Sequence, residues 1–522
     1  MDIIIWRNGE DYNQDVCPLI KSFYPDAVFA EGGAAAEASG NAADKTGSAG
    51  EKSEAAETSE ADGTSGEGSS LDLYFDLTSD CMTVRIRQQG REVFAETEAF
   101  AGGERRDYRN ALLRMLYRGL SGLTGKKLPW GILTGVRPTK LVYERLADMT
   151  KNEIRDYMAE TYYCSADKIE VSLITAAREK ELLTQCRPEE GYSLYIGIPF
   201  CPTTCLYCSF TSYPLERFGG YVEPYLEALK KEIRFASESM GGKAPMSVYF
   251  GGGTPTTLSA EQLRDLIGYV KNSFDFSGVK EFTVEAGRPD SLTYEKLAVL
   301  KELGVDRISI NPQSMCQETL DLIGRRHTVE QIEEAFAMAR KAGHDNINMD
   351  LIIGLTGETP EHVRRTLERI RPLNPESLTV HTLALKRAAR LNLEKERYVD
   401  MQAVDVPVMQ QLTAAYAKEN GYLPYYLYRQ KNMAENLENV GYARYGKECL
   451  YNIVIMEERQ TILALGAGAS SKFYFPAENR LERVENVKSL KDYVERIDEM
   501  IERKLVFIEK NRAALKEGSV VW

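Results

Sequence analysis

The stretch Tyr195-Ile-Gly-Ile-Pro-Phe-Cys201-Pro-Thr-Thr-Cys205-Leu-Tyr-Cys208 runs from a strand into a loop that carries three thiols. Cys201, Cys205 and Cys208 are separated by three and then two residues. Three thiolates on one short loop can hold three irons of a [4Fe–4S] cube and leave the fourth iron without a protein ligand. An iron with an open position can coordinate a second molecule and pass it an electron, so the spacing points to a reaction centre rather than a staple. Two other readings stay open on these residues alone. A disulfide pair would leave one cysteine over, and a structural zinc would want a fourth Cys or His nearby.

Outward from this loop the chain alternates short apolar strands with amphipathic helices. The expected strands are Leu194–Pro199, Ser247–Phe250, Glu281–Glu285, Arg307–Ile310, Asn346–Ile353 and Ser377–Leu383. Helices are expected between them, near 221–239, 260–273, 293–303, 316–323, 329–342 and 360–370. Strand–helix alternation over this many units predicts an α/β fold with a parallel sheet, closed or nearly closed into a barrel, over 186–400. Chemistry in such folds sits at the carboxyl ends of the strands, which is where the cysteine loop begins.

The other strand ends carry polar residues. The second runs into Val-Tyr-Phe-Gly251-Gly252-Gly253-Thr254-Pro, where missing side chains let a ligand approach bare N–H and C=O groups. No Gly-Lys-Ser/Thr follows, so this is not a phosphate loop. The third ends at Glu285, the fourth leads to Gln313 and then to Gly-Arg325-Arg326-His327, and the fifth carries Asp350. Any one of these could serve a buried hydrogen bond. Together an acid, an amide, a guanidinium and a second acid form a polar ring suited to a zwitterionic ligand with a ribose.

The rest of the chain bounds the answer. Its 522 residues allow two to four domains. With 65 Lys+Arg against 78 Asp+Glu, the net charge of −13 offers no case for nucleic acid or an anionic membrane. No apolar run is long enough to span a bilayer, and the start does not read as a signal peptide. Nine mostly isolated cysteines fit a reducing cytoplasm, and four unpaired histidines argue against a histidine-based metal site. Residues 31–70 are Ala, Gly, Ser, Glu and little else, with nine acids against Lys45 and Lys52, and so carry −7 of the net charge. Such a stretch buries too little to offset chain entropy and is expected to be a disordered insertion. Around it, 1–185 reads as a small α+β domain with strands Asp2–Trp6, Leu71–Leu77 and Met82–Arg87 and a helix from about Arg105 to Leu123. Trp130–Lys140 is expected to be an interdomain turn, with a contact surface as the alternative. Residues 401–522 are expected to form a separate C-terminal α+β extension.

The cysteine loop with its preceding Tyr195-Ile-Gly-Ile-Pro-Phe, then Phe-Gly-Gly-Gly-Thr-Pro-Thr, Thr-Val-Glu, Arg-Ile-Ser-Ile-x-x-Gln-Ser, Gly-Arg-x-His and Asp-Leu-Ile-x-Gly-Leu, resembles the radical S-adenosylmethionine superfamily. Within it the chain is similar to the oxygen-independent coproporphyrinogen III oxidase (dehydrogenase) family. Residues 422–476 resemble its long, HemZ-type branch through Pro-Tyr-Tyr-Leu-Tyr-Arg-Gln-Lys-Asn and Leu-Gly-Ala-Gly-Ala-Ser-Ser. The resemblance implies that Cys201, Cys205 and Cys208 ligate the cluster, with Tyr195 and Tyr207 packed beside it. It implies that Gly252, Gly253, Thr254, Glu285, Gln313, Arg325 and Asp350 contact one or two molecules of S-adenosylmethionine. The activity implied is the conversion of two propionates of coproporphyrinogen III to vinyl groups, giving protoporphyrinogen IX in heme biosynthesis. Tyr195, Glu285 and His327 are the expected catalytic residues, and a low-potential ferredoxin or flavodoxin is the expected electron donor to a monomer.

Two departures keep other readings open. Phe210 stands where the best-known members have a fourth cysteine, as in the heme-chaperone branch of the superfamily. That branch's His-Asn pair corresponds here to Gln430-Lys431-Asn432, which lacks the histidine. A heme-trafficking chaperone and a radical enzyme acting on another tetrapyrrole, such as a heme-opening methyltransferase, are therefore the alternatives. Cations for the substrate propionates are sought at Arg326, His327, Lys386, Arg387 and Arg390, with His327 favoured.

Overall fold

The computed structural model describes all residues except 33–69, 79, 101–102, 136, 187–190, 241–242, 385–388, 402, 431–435 and 513–522. Nearly all of the acidic insertion expected to be disordered lies outside the described residues. Contacts divide the chain into two units, Met1–Thr134 with Arg155–Lys168, and Gly135–Ile154 with everything from Ile169 on. The division falls elsewhere than at the expected 185. Trp130–Lys140 straddles it, with Trp130 fully buried in the first unit.

In the first unit β1 (Asp2–Asn8), β2 (Val28–Glu31), β3 (Ser70–Leu77), β4 (Cys81–Gln88) and β5 (Arg91–Ala99) form a sheet in the order β2-β1-β3-β4-β5. Alternation decides its faces: Leu71, Leu73, Phe75 and Leu77 of β3 are buried while the residues between them are not. The helices Asn13–Phe23 and Arg105–Thr124 add to the core, as do Trp130, Met158 and Tyr162. The second helix ends at Gly125, whose φ of +69° gives the left-handed cap that glycine takes without strain. β2, β5 and the first helix were not anticipated from sequence; β2 is short and β5 mostly exposed, whereas the helix does carry its signal, in Val16, Leu19, Ile20 and Phe23.

The second unit begins with β6 (Tyr192–Ile198), followed by β7 (Phe200–Cys201) and β8 (Tyr213–Pro214), a short parallel pair that closes the cysteine loop at its base. Then come β9 (Ser247–Gly252), β10 (Glu281–Glu285), β11 (Arg307–Ser309), β12 (Ile347–Ile353) and β13 (Ser377–Thr382). The connecting helices run Val222–Ser239, Ala260–Ser273, Tyr294–Glu302, Gln317–Leu322, Val329–Lys341 and Pro360–Ile370, close to the expected spans. β14 (Leu423–Tyr428), β15 (Asn439–Ala443), β16 (Thr461–Leu465), β17 (Ser470–Phe475) and β18 (Arg480–Glu485) complete an 11-stranded sheet in the order β14-β15-β13-β12-β11-β10-β9-β6-β16-β17-β18. β6 and β9–β13 are the expected parallel strands, and the order of the sheet is open, ending at β14 and β18. The expected boundary at 400 does not appear as a break in the sheet. β15 pairs antiparallel with β13, and β16 pairs parallel with β6, so the C-terminal strands extend both ends of the barrel sheet.

Register explains which face holds the site. Leu194, Val248 and Phe282 lie on one rung, and Ile196, Phe250, Val284, Ile308 and Ile347 lie on another, all on one buried aliphatic face. Each crossover steps one strand in the same direction, and right-handed crossovers then put the helices on that side. The opposite face is polar and aromatic. Its rungs are Ser193, Ser247 and Glu281, then Tyr195, Tyr249, Thr283 and Arg307, then Glu285, Ser309, Asn348 and Ser377. On this inner face lies the helix Leu450–Glu457. Glu281 accepts the N–H groups of Leu450 at 2.6 Å and Tyr451 at 3.2 Å, satisfying donors at the helix's positive end.

One buried ion pair ties the C-terminal strands to the barrel. Glu232, on the helix after the first barrel strand, accepts from Lys504 Nζ at 2.7 Å, Asn486 Nδ2 at 2.8 Å, Gly466 N at 2.8 Å and Tyr493 Oη at 2.6 Å. Lys504 and Glu232 are both fully buried. Removing one partner leaves an uncompensated charge, so Lys504→Met and Glu232→Gln should each destabilise the protein by about 3–5 kcal/mol. In urea denaturation the double variant should lose less than the sum of the two. Additive losses would mean the pair is not coupled.

Candidate active site

The strand register builds the site. Tyr195 pairs with Tyr249, Gly197 with Gly251 and Ile198 with Gly252, which sets the glycine run directly beside the start of the cysteine loop. Gly252 has φ of +109°, and a Cβ there would stand 3.2 Å from the Ile198 carbonyl and 3.3 Å from Tyr195 Oη. A Cβ on Gly253 would meet the Phe200 carbonyl at 2.5 Å. The Gly253 N–H donates to Ile198 O and the Thr254 N–H to Phe200 O, both at 2.7 Å. The glycines thus let two backbones touch. The expectation of bare amides for a ligand is corrected at 253 and 254, whose N–H groups hold the loop instead.

The loop carries its thiols inward. Cys205 is buried, Cys201 and Cys208 are half-buried, and all nine cysteines are free. Thr254 Oγ1 lies 3.6 Å from Cys201 Sγ. Burial pushes the Cys201 thiol up to about 11 and raises Cys208 as well, so loading with metal would release protons. Among the described residues no three His, Cys, Asp or Glu converge to hold a single metal ion. The donor set suits a cluster better, since each cysteine there binds a different iron.

The polar ring gathers on and beyond the neighbouring strands. Tyr249 donates to Glu285 at 2.6 Å, and burial pushes the Glu285 carboxyl up to about 7. Its neighbour Asp350 also raises it, while Tyr249, Arg307 and the Gly252 amide pull it down. Asp350 accepts from Asn348 Nδ2 at 2.6 Å and lies 3.9 Å from His381 Nε2. Burial works against its charge, but His381 and Asn348 hold it below the ordinary carboxylate range. Gln313 sits at φ of +67°, bridged to Leu351, with a buried Oε1 that has no hydrogen-bond partner. Arg325 is buried and donates to Asn311 O at 2.5 Å and to Tyr207 Oη at 3.4 Å, leaving its Nε unpartnered. These orphaned polar atoms, the three thiols and the side-chain-free stretch at Gly252 fit a polar cofactor beside a cluster.

His327 is placed differently from its expected role. Its side chain is fully buried, 3.7 Å from Asp290, and burial lowers its pKa, so it is neutral and cannot pair with a propionate at the mouth. Lys386 and Arg387 lie outside the described residues. Arg326 is exposed, and Arg390 is exposed and pairs with Glu394.

A cleft of about 520 Å³ opens between Tyr195, Gly252 and Glu285 on one side and the C-terminal segment on the other, a size usual for a small-molecule site. Tyr451, on the inner helix, floors it and stacks on Tyr249 with ring centroids 4.4 Å apart. Lys472 and Lys488 also line the cleft, as does Phe210, which is 70% exposed. Tyr249, Tyr451, Lys472, Lys488 and Arg288 were not singled out from sequence. Only Arg288, three residues past Glu285, had a positional signal.

Glu285 has a pH signature. The folded protein keeps its proton to about pH 7, whereas an unfolded glutamate releases it near 4.5. Its contribution to stability is therefore complete below about pH 4.5 and is lost as pH rises to 7. Burial also pushes Glu358 up to about 7, so it titrates in the same window. Urea midpoints measured from pH 4.5 to 8 should fall less steeply in Glu285→Gln than in the wild type. Parallel profiles would place the shift elsewhere.

Comparison with known proteins bears on this site. The radical SAM superfamily model matches residues 195–370. The oxygen-independent coproporphyrinogen-III oxidase-like protein HemZ of Bacillus subtilis (strain 168) is 41% identical over 451 residues, 85% of this chain and 89% of its own. The heme chaperone HemW of the same organism is 37% identical over 195 residues, 37% of this chain and 51% of its own. The solved structure of coproporphyrinogen III oxidase (HemN) from Escherichia coli, a radical SAM enzyme, aligns with TM-score 0.49 and 25% identity, covering 62% of this chain and 73% of that one. The superfamily's cofactors are a [4Fe–4S] cluster and S-adenosylmethionine. The chain belongs to the radical SAM superfamily and, within it, to the HemZ-type branch of the oxygen-independent coproporphyrinogen III oxidase-like proteins.

Proposed function

We propose that this protein is a radical S-adenosylmethionine enzyme that decarboxylates two propionates of coproporphyrinogen III to vinyl groups, giving protoporphyrinogen IX. The observation that carries the reading is the convergence of both flanks of the cysteine loop (Pro199 and Ser209–Thr211), Gly252 and Glu285 on one cleft of about 520 Å³. Cys201, Cys205 and Cys208 hold the cluster, and Tyr195 and Tyr207 cover it. Gly252, Gly253 and Thr254 lie against the amino-acid part of S-adenosylmethionine. Arg325 takes its carboxylate, Gln313 and Asp350 its polar groups, and Glu285 its cationic centre. Once bound, the cluster and S-adenosylmethionine supply the electron and the hydrogen-abstracting radical; the chain positions them and excludes water.

Glu285, with its pKa near neutrality, can also hold or release a proton at the reacting face. Tyr195 and Glu285 are thus the catalytic residues of this reading, with His327 reassigned to positioning the loop behind them. Lys488 gives the cleft a cation for propionates, while the Lys472 ammonium is held by Glu458 at 3.2 Å. Phe210, exposed at the cleft where better-known relatives carry cysteine, favours one alternative, a heme-handling role.

Anaerobic incubation of the iron-reconstituted protein with S-adenosylmethionine, dithionite and coproporphyrinogen III tests the reading. Vinyl-porphyrinogen and 5′-deoxyadenosine should appear together. Stoichiometric heme binding without vinyl product would overturn it in favour of a chaperone, and cleavage only with heme would favour another tetrapyrrole reaction. Cys205→Ser should lose both the cluster and S-adenosylmethionine cleavage; survival of either would mean other ligands.

Ligand binding should also report Glu285. Affinity for the S-adenosylmethionine sulfonium should tighten as pH rises through about 7, when the carboxylate forms. Calorimetric titration of Glu285→Gln should give a nearly flat pH profile. A wild-type profile that is itself flat would remove Glu285 from the cation's contacts.

A further inference from the structure

Behind the cysteine loop lies a charge pair that the assigned ligand contacts do not use, a buried arginine held by an aspartate that reaches solvent. Arg288 is only 3% exposed and follows β10 directly. One edge of its guanidinium faces the loop: Nη1 donates to Thr203 Oγ1 at 2.7 Å and Thr203 O at 3.2 Å, and stands 3.9 Å from Cys205 Sγ. The other edge is fixed, with Nε and Nη2 donating to the two oxygens of Asp290 at 2.9 and 2.6 Å. The pair is therefore a dipole, its cationic end toward Cys205 and its anionic end away. Three further groups face this region. Arg325 carries a second buried positive charge near Cys205, His327 stands beside Asp290, and the Thr254 hydroxyl points at Cys201 Sγ from 3.6 Å.

Reduction adds one negative charge to a cluster, and hydrogen bonds and cations at its sulfurs favour the reduced form. Burial keeps the Arg288 charge from being screened, whereas Asp290, which reaches solvent, is screened in part. We propose that Arg288 and Asp290 are positioning residues that set the reduction potential of the cluster held by Cys201, Cys205 and Cys208. Arg288 raises it, Asp290 limits the rise, and Thr254 adds to Arg288. The inference rests on the cluster reading above and extends it from which residues bind to which residues tune.

The two partners have opposite signs, which separates tuning from mere support of the loop. Arg288→Met removes the cation and leaves Asp290 uncompensated, so the potential should fall. Asp290→Asn leaves the cation alone, so it should rise. Arg288→Met should alter the one-electron reduction equilibrium about tenfold, equal to about 59 mV, and Asp290→Asn by less. Arg288→Lys, which keeps the charge but not the fork, should lie between wild type and Arg288→Met.

The measurement is an anaerobic redox titration of the full-length reconstituted protein, without S-adenosylmethionine, followed by electron paramagnetic resonance with iron and sulfide assayed in each variant. Opposite shifts support the proposal. Unchanged potentials, or shifts of the same sign, in variants with a full cluster overturn it. If Arg288→Met does not hold a cluster, Asp290→Asn should still shift upward and Thr254→Val downward, and failure of either overturns the proposal. A wild type that assembles no cluster would instead overturn the cluster reading itself.

Discussion

The pairing of β6 with β9 is the constraint on which the site depends. Tyr195 opposite Tyr249 and Ile198 opposite Gly252 fix the glycine run against the first residues of the cysteine loop. Two short amide bonds, from Gly253 to Ile198 and from Thr254 to Phe200, then hold the loop's entry. A slip of one residue would turn every inner side chain of β9 to the aliphatic face. Tyr249 would then leave Glu285, and a slip that moved Thr254 into the place of Gly253 would set a Cβ against the Phe200 carbonyl.

The second constraint is the polar inner face. Buried polar groups are tolerable only when partnered, and here the partners come from far along the chain. Glu281 would be a carboxylate buried in the sheet's interior without the amides of Leu450 and Tyr451. In return it fixes the start of a helix whose Tyr451 floors the cleft. The C-terminal strands are thus part of the site's walls rather than an appendage, and the Glu232–Lys504 pair keeps them in place. Burial then tunes what remains: it brings Glu285 to neutrality while the partners of Asp350 keep that carboxylate charged.

Much of this was legible in the sequence because local patterns carry it. Six strands and the helices between them follow from apolar periodicity, and the cysteine spacing marks the loop wherever it lies. Glu285, Gln313, Arg325 and Asp350 stood out as polar residues on or after apolar strands; Glu285 ends β10, whereas Asp350 sits mid-strand in β12 and Arg325 on a loop beyond a helix. His327 misled because a histidine beside an arginine reads the same whether it faces solvent or, as here, the buried side of a loop. The glycines misled in part, since absent side chains mark closeness without saying whether a ligand or a backbone comes close.

By itself the sequence determined the parallel α/β core, the three-thiol loop at the end of its first strand and the polar residues on or after the others. These depend on periodicity and spacing over a few residues. Only the tertiary structure decided that residues beyond 400 enter the same sheet, that Tyr451 and Lys472 share a cleft with Tyr195, and that Arg288 and Asp290 stand behind Cys205. Those relations join residues up to hundreds of positions apart. They are set by register and by the need to partner buried charge, neither of which leaves a local trace in the chain.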